Sequence, residues 1–188
     1  MDTLLAKAVA DSCAAMQTVL KQQAAFDRLA AAVVACLKNG GKILTCGNGG
    51  SAADAMHMAE EFVGRYRSNR RSLPAISLNA DPTALTCIAN DFGYDEVFAR
   101  QVEGLGVKGD VLVGFTTSGN SPNVLRAFAA AKARGITTVG FLGKDGGQAR
   151  GQVDIALVIE SADTARIQEA HTLLMHVVLE VIEGAFPA

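Results

Sequence analysis

Residues 42–67 read KILTCGNGGSAADAMHMAEEFVGRYR and hold three kinds of chemistry in one short span. The turn Gly47-Asn48-Gly49-Gly50 follows an apolar run, residues 43–46, and its glycines permit positive φ and close approach of a ligand to the backbone. Ser51 is placed to cap a helix whose free N–H groups and positive dipole end suit an anion such as a phosphate. Asp54, His57 and Glu61 then recur at i, i+3 and i+7 along one helical face. An anion-holding turn that leads into a histidine and two carboxylates is the layout of an active site.

A second loop is rich in hydroxyls. Residues 110–116 (DVLVGFT) read as a strand and run into Thr117-Ser118-Gly119-Asn120-Ser121, with Pro122 near a helix start. Hydroxyls at Thr116, Thr117, Ser118 and Ser121, a flexible glycine and fresh helix N–H groups make a phosphate cradle. The plainer reading is an ordinary strand-to-helix turn with a good cap, but the density of hydroxyls over six positions favours phosphate. No GxxxxGK[ST] occurs, so a nucleotide P-loop is not supported.

The third constellation lies on the closing helix, capped by Asp163 or Thr164. Gln168, Thr172 and His176 form a polar stripe at i, i+4, i+8 inside an otherwise apolar helix, and the chain has only three histidines. Were that stripe to face His57 and Glu61, nitrogen and carboxylate ligands would converge as zinc or a similar ion requires. Gln168 and His176 stand about 12 Å apart along an ideal helix axis. Both reach one ion only if the helix bends or if they come from different subunits; otherwise one of them binds. Between these pieces, residues 65–72 carry Arg65, Arg67, Arg70 and Arg71; such a run is usually a solvated loop, and the less favoured reading is that one arginine reaches a substrate phosphate or hydroxyl.

The elements that must position these groups follow from periodicity. Two helices lead the chain, one with Leu5, Val9, Cys13, Met16 and Leu20 stepping by turns, the other with Phe26, Leu29, Ala30, Val33, Val34 and Leu37 on a stripe that stops at Asn39-Gly40-Gly41. Strands are expected at 43–46, 74–78, 110–116, 136–142 and 155–159. Helices are expected from Asp81-Pro82 to a break at Asn90-Asp91-Phe92-Gly93, over 94–105, and over 123–134. The closing helix is expected to bury Ile167, Leu173, Leu174, Val177, Val178 and Val181. Alternating strands and helices imply a parallel sheet with helices on both faces, and ligands in such sheets sit beyond the carboxyl ends of strands. Both loops singled out above follow such ends. Two leading helices are more than a small sheet needs, so an oligomer interface competes with plain packing as their role.

The bulk numbers exclude several classes. At 188 residues the chain reads as one domain, residues 1–188, with residues 1–41 as the leading helices. Hydrophobic residues make up 49% and charged ones 19%, a globular balance; 17 basic and 19 acidic side chains leave a net charge of −2, which points to neither nucleic acid nor an anionic membrane. The four cysteines show no CxxC pairing, no run of about 18 apolar residues occurs, and the opening MDTLLAKAVADSC lacks a basic start. A cytoplasmic protein is expected.

The segments CGNGGSAADAMHMAEEFVGRYR, IANDFGYDEVFARQVE, GFTTSGNSPNVL, GKDGG and ADTARIQEAHTLLMHVV together resemble the sugar isomerase (SIS) domain, and more closely the bacterial phosphoheptose isomerase family. The resemblance implies a three-layer α/β/α fold with a five-stranded parallel sheet, assembled as a homotetramer with active sites between subunits. It implies conversion of D-sedoheptulose 7-phosphate to D-glycero-D-manno-heptose 7-phosphate, for heptose in lipopolysaccharide or other surface glycans. By position, Asn48, Gly49, Gly50 and Ser51 match the first substrate loop, Asn90 and Asp91 a further contact, and Thr116, Thr117, Ser118 and Ser121 the phosphate loop. His57, Glu61, Gln168 and His176 match zinc ligands, Gln168 also a substrate contact, and Glu61 and His176 the acid–base pair. Thr116 stands where some relatives have Ser; the hydroxyl is kept. A non-catalytic relative that binds a replication initiator would need neither Glu61 nor His176, and an isomerase or sensor for another sugar phosphate is the other alternative.

Overall fold

The computed structural model describes residues 3–187. Its strands are β1 (Ile43–Gly47), β2 (Ala75–Ser77), β3 (Val111–Thr116), β4 (Thr137–Gly143) and β5 (Ile155–Ile159). They form one all-parallel sheet in the order β2-β1-β3-β4-β5. The helices are α1 (Leu4–Val19), α2 (Gln23–Lys38), α3 (Gly50–Val63), α4 (Pro82–Phe92), α5 (Ala99–Leu105), α6 (Pro122–Ala133) and α7 (Thr164–Ala185). The expected three-layer α/β/α arrangement with two leading helices is present.

The near-continuous apolar strands reflect burial on both faces. Ile43, Val113, Phe115, Phe141 and Leu157 point toward α2, α3 and α7, packing with Leu29, Met58, Phe62 and Met175. Their neighbours Leu44, Cys46, Leu112, Leu142 and Val158 point the other way, against Phe98 on the α5 side and Phe128 of α6. After β1 the chain steps outward to β2, then returns to place β3 on the opposite side of β1. The strand order therefore reverses between β1 and β3, and a crevice opens beyond their carboxyl ends. Among the described residues no helix is long and apolar enough to cross a membrane.

Several expectations change. Helix α4 ends within the expected stretch, but late in it: it runs through Phe92 and stops at Gly93, whose φ of 89° leaves the helical region. Residues 94–105 split into a short 3₁₀ turn, Tyr94–Glu96, and α5. On α1 only Ala15 is buried, while Leu5 and Val9, and Leu20 just past its end, face outward. On α7 the core residues include Ile167, Leu174, Met175, Val178, Leu179 and Ile182, whereas Leu173, Val177 and Val181 are exposed at about two-fifths of their surface (40%, 39% and 43%). The physical reason is that 3.6-residue periodicity gives α7 two apolar stripes, and the sheet covers only one of them.

Candidate active site

Both loops expected to hold phosphate meet at the β1/β3 crevice. A cavity of about 250 Å³ is lined by Asn48, Gly50, Ser51, Thr116, Ser121 and Gln168, together with Phe115, Thr117 and Thr164. Three helices begin here: α3 at Gly50, α6 behind its N-cap Ser121, and α7 at Thr164. Each start points the positive end of a helix dipole at the cavity, although several first-turn N–H groups are already bonded, Ser51 N–H to Asn48 O and Val124 N–H to Ser121 O among them. None of the lining residues is charged. The cavity thus offers an anion only uncharged donors: helix starts, hydroxyls and the amides of Asn48 and Gln168.

Local chemistry shapes the loops. Ser51 does not cap α3 as expected; the N-cap is Gly49, and Ser51, 3% exposed, lies in the first turn with its N–H bonded to Asn48 O at 3.0 Å. A Cβ at Gly50 would stand 2.4 Å from Gln168 Nε2, so a side chain there would push the Gln168 amide out of its place against the loop. Thr116 Oγ1 accepts from Gly119 N at 3.2 Å and shares a proton with Ser121 Oγ at 3.1 Å. Ser118 instead accepts from Asn120 N at 3.1 Å and does not line the cavity. The loop 143–149 braces this turn from behind, through Ala149 N to Gly119 O (2.9 Å) and Gln148 N to Asn120 Oδ1 (3.0 Å).

Helices α3 and α7 run in the same direction and meet along a polar seam. Gly50 faces Gln168, Asp54 Oδ1 lies 3.1 Å from Thr172 Oγ1, and the rings of His57 and His176 are 5.1 Å apart, edge to face. At the far rung His57 Nε2 is 3.3 Å from Glu61 Oε1. One ligand atom from each of His57, Glu61 and His176 lies within 4.8 Å of the others. Tyr66 stacks on His176 at 5.5 Å and covers the cluster. This nitrogen–nitrogen–oxygen set has the donor types that could hold a metal ion.

The remaining expected site residues separate. Gln168 lines the hydroxyl cavity, and α7 is unbroken from there to His176, so within one chain it stands about 12 Å along the axis from the cluster. Asn90 and Asp91 are exposed at the end of α4, bonded to each other at 2.7 Å, outside the cavity. None of the arginines of residues 65–72 lines the cavity. Arg70 is buried and donates to Glu61 O (2.6 Å) and Phe62 O (2.9 Å), fastening the end of α3 that carries Glu61. Behind it Glu183 accepts backbone N–H bonds from Tyr66, Arg67 and Ser68; burial would raise its carboxyl, but these bonds prevail and hold it below the usual carboxylate range. Thr164 of the cavity was visible in the sequence only as a possible cap. Its hydroxyl beside a helix start was the available signal.

The SIS domain family model matches residues 7–143. A phosphoheptose isomerase from Helicobacter pylori is 58% identical over 150 residues, covering 80% of this chain and 78% of that protein. The chain belongs to the phosphoheptose isomerase family. A second phosphoheptose isomerase, from Nitratiruptor, is 56% identical over 153 residues, covering 81% and 82% of the two chains. The solved phosphoheptose isomerase from Neisseria gonorrhoeae superposes with a TM-score of 0.90 at 43% identity, over 96% of this chain and 97% of that one. The family's fold accounts for the β1/β3 crevice and for the helix starts that surround it.

Proposed function

We propose that this chain is an aldose–ketose isomerase converting D-sedoheptulose 7-phosphate to D-glycero-D-manno-heptose 7-phosphate through an enediol. What carries the reading is the pairing of an uncharged, donor-lined cavity with a Glu–His cluster at the other end of the same helix seam. The phosphate goes to the helix starts and to the Ser51, Thr116, Thr117 and Ser121 hydroxyls, with Gln168 touching the sugar. Moving a carbonyl from C2 to C1 requires a base that takes a proton from C1 and returns it to C2, which we assign to Glu61. A second group must carry a proton from O1 to O2, which we assign to His176. His57, Glu61 and His176 would hold a zinc ion, which would supply Lewis-acid stabilisation of negative charge developing on the sugar oxygens.

Ser51 and Glu61 lie ten residues apart on α3, about 15 Å along its axis. That span is long for one heptulose phosphate, so the proposal places working sites between subunits of a homotetramer. Gln168 could join a zinc ion only across such a boundary. Exposed apolar side chains beside the cluster, Met56, Val63, Val177 and Val181, and those on α1 support an interface there. In the same reading residues 1–188 form one domain, residues 1–41 help assemble it, Asn90 and Asp91 reach a substrate held by the assembled protein, and the product feeds cytoplasmic heptose-precursor synthesis.

The test is turnover of sedoheptulose 7-phosphate by the purified protein, before and after chelation and zinc restoration. Zinc-dependent turnover is expected. Turnover of a different ketose phosphate alone would overturn the substrate, and turnover unaffected by chelation would overturn the metal role.

A further inference from the structure

Asn48 is the one side chain of the first loop that reaches into the cavity from a site tied to two other segments. Its amide pairs with that of Asn123, the second residue of α6: Asn48 Nδ2 donates to Asn123 Oδ1 at 2.8 Å, and Asn123 Nδ2 donates to Asn48 Oδ1 at 2.9 Å. The hydroxyl of Tyr94, from the 3₁₀ turn after α4, donates to the same Asn48 Oδ1 at 3.1 Å. The backbone N–H of Val124, which can only donate, lies 3.0 Å from Asn123 Oδ1. That contact sets which end of the Asn123 amide is oxygen, and through the pair it sets the Asn48 amide as well.

We propose that Asn123 and Tyr94 are positioning residues that lock Asn48 as a donor-only group, leaving one Nδ2 hydrogen for an oxygen acceptor on the sugar phosphate. The Asn48 oxygen already takes two hydrogen bonds, so it has little left to offer a hydroxyl proton, and the pocket at this point selects for an acceptor. The pair also fixes the spacing between the two phosphate-holding loops. Asn123 is 2% exposed and starts the helix that Ser121 caps, so a shift at Asn48 is felt at Ser121. Tyr94 is more than half exposed (58%), so its contribution comes from this hydrogen bond and not from core packing. This inference rests on the isomerase reading for its substrate, but the lock itself does not.

The experiment combines kinetics with a double-mutant cycle. Tyr94→Phe, which keeps the ring, is expected to raise KM for sedoheptulose 7-phosphate about three- to tenfold with kcat within about twofold, the size of one lost hydrogen bond. Asn123→Ala is expected to raise KM further and to weaken competitive inhibition by inorganic phosphate, because it loosens both loops. In urea unfolding, Tyr94→Phe is expected to shift the midpoint in the wild-type background and to have no effect in Asn48→Ala. Additive midpoints, or an unchanged KM in both Tyr94→Phe and Asn123→Ala, would overturn the proposal. A wild-type protein that does not turn over the heptulose would instead refute the isomerase reading, and the cycle together with inorganic-phosphate affinity would still decide the lock.

Discussion

Thr172 Oγ1 stands 3.1 Å from Asp54 Oδ1 and 3.1 Å from the carbonyl of Gln168, so one hydroxyl proton faces two acceptors. Thr172 donates, so that single proton is divided between a carboxyl oxygen of Asp54 and a backbone carbonyl, and Asp54 gains at most a shared hydrogen bond. Burial lifts the Asp54 carboxyl above the usual carboxylate range, while the Thr172 contact and nearby His57 pull it down less strongly. Asp54 Oδ2 is buried without a partner, as suits a carboxyl that ionises reluctantly.

A raised folded-state pKa means the folded chain holds this proton more tightly than the unfolded chain. The stability that Asp54 contributes therefore falls as pH rises from the unfolded value of about 3.9 through the folded one. Asp54→Asn keeps the shape and an acceptor, and is expected to unfold in urea no more easily than wild type at pH 7. Its advantage should shrink toward pH 4. Thr172→Val should cost about 1–2 kcal/mol at either pH. An Asn variant penalised more at pH 7 than at pH 4 would reverse the assignment.

Glu61→Gln removes a base while keeping volume. Turnover is expected to fall by about 10²–10⁴, with the melting temperature and inorganic-phosphate affinity retained. Zinc content measured on the same variant should fall too, since one oxygen donor becomes an amide. A variant with wild-type kcat would remove Glu61 from the chemistry.

The hydroxyls should not be equivalent. Ser121 lines the cavity and bonds Thr116, whereas Ser118 spends its oxygen on Asn120 N. Ser121→Ala is expected to raise KM about three- to tenfold with kcat little changed, and Ser118→Ala to act mainly on thermal stability. Steady-state kinetics beside melting curves separate the two. Equal KM effects would place the phosphate deeper in the turn.

His171 offers a pH test of the core. It is fully buried between Phe115 and Phe141, and its Nε2 donates to Leu142 O at 3.0 Å. Burial pushes its pKa down to about 4, against a smaller opposing pull from that carbonyl. The unfolded chain thus binds more protons between about pH 6.5 and 4, and stability is lost as pH falls through that window, on the order of 3 kcal/mol. His171→Gln should flatten the urea midpoint over the same window. An unchanged slope would mean that another group titrates there.

Much of this was legible because local rules and the global fold agree. The switch of period from apolar runs to helical stripes located every strand to within about two residues, and the two hydroxyl-rich loops fell at strand ends where open α/β sheets bind ligands. His57, Glu61 and His176 came together as the stripes on α3 and α7 implied. What stayed hidden depends on tertiary contact. Periodicity cannot tell which of two apolar stripes on α7 meets the sheet, so Leu173, Val177 and Val181 were misplaced. Arg70 looks like a surface arginine until Glu183, more than a hundred residues later, buries it. Asn123 and Tyr94 carry no motif, since their partner Asn48 is distant in sequence.

The cavity proposed to take the phosphate is lined by no lysine or arginine, and that bears on how the cycle would finish. Partial charges at three helix starts hold a phosphate group more gently than a buried guanidinium would, and they do not titrate between pH 5 and 9. The grip on the phosphate should vary with the ligand's own ionisation and little with that of the protein. On this subunit's side, product would then leave without an ion pair having to break.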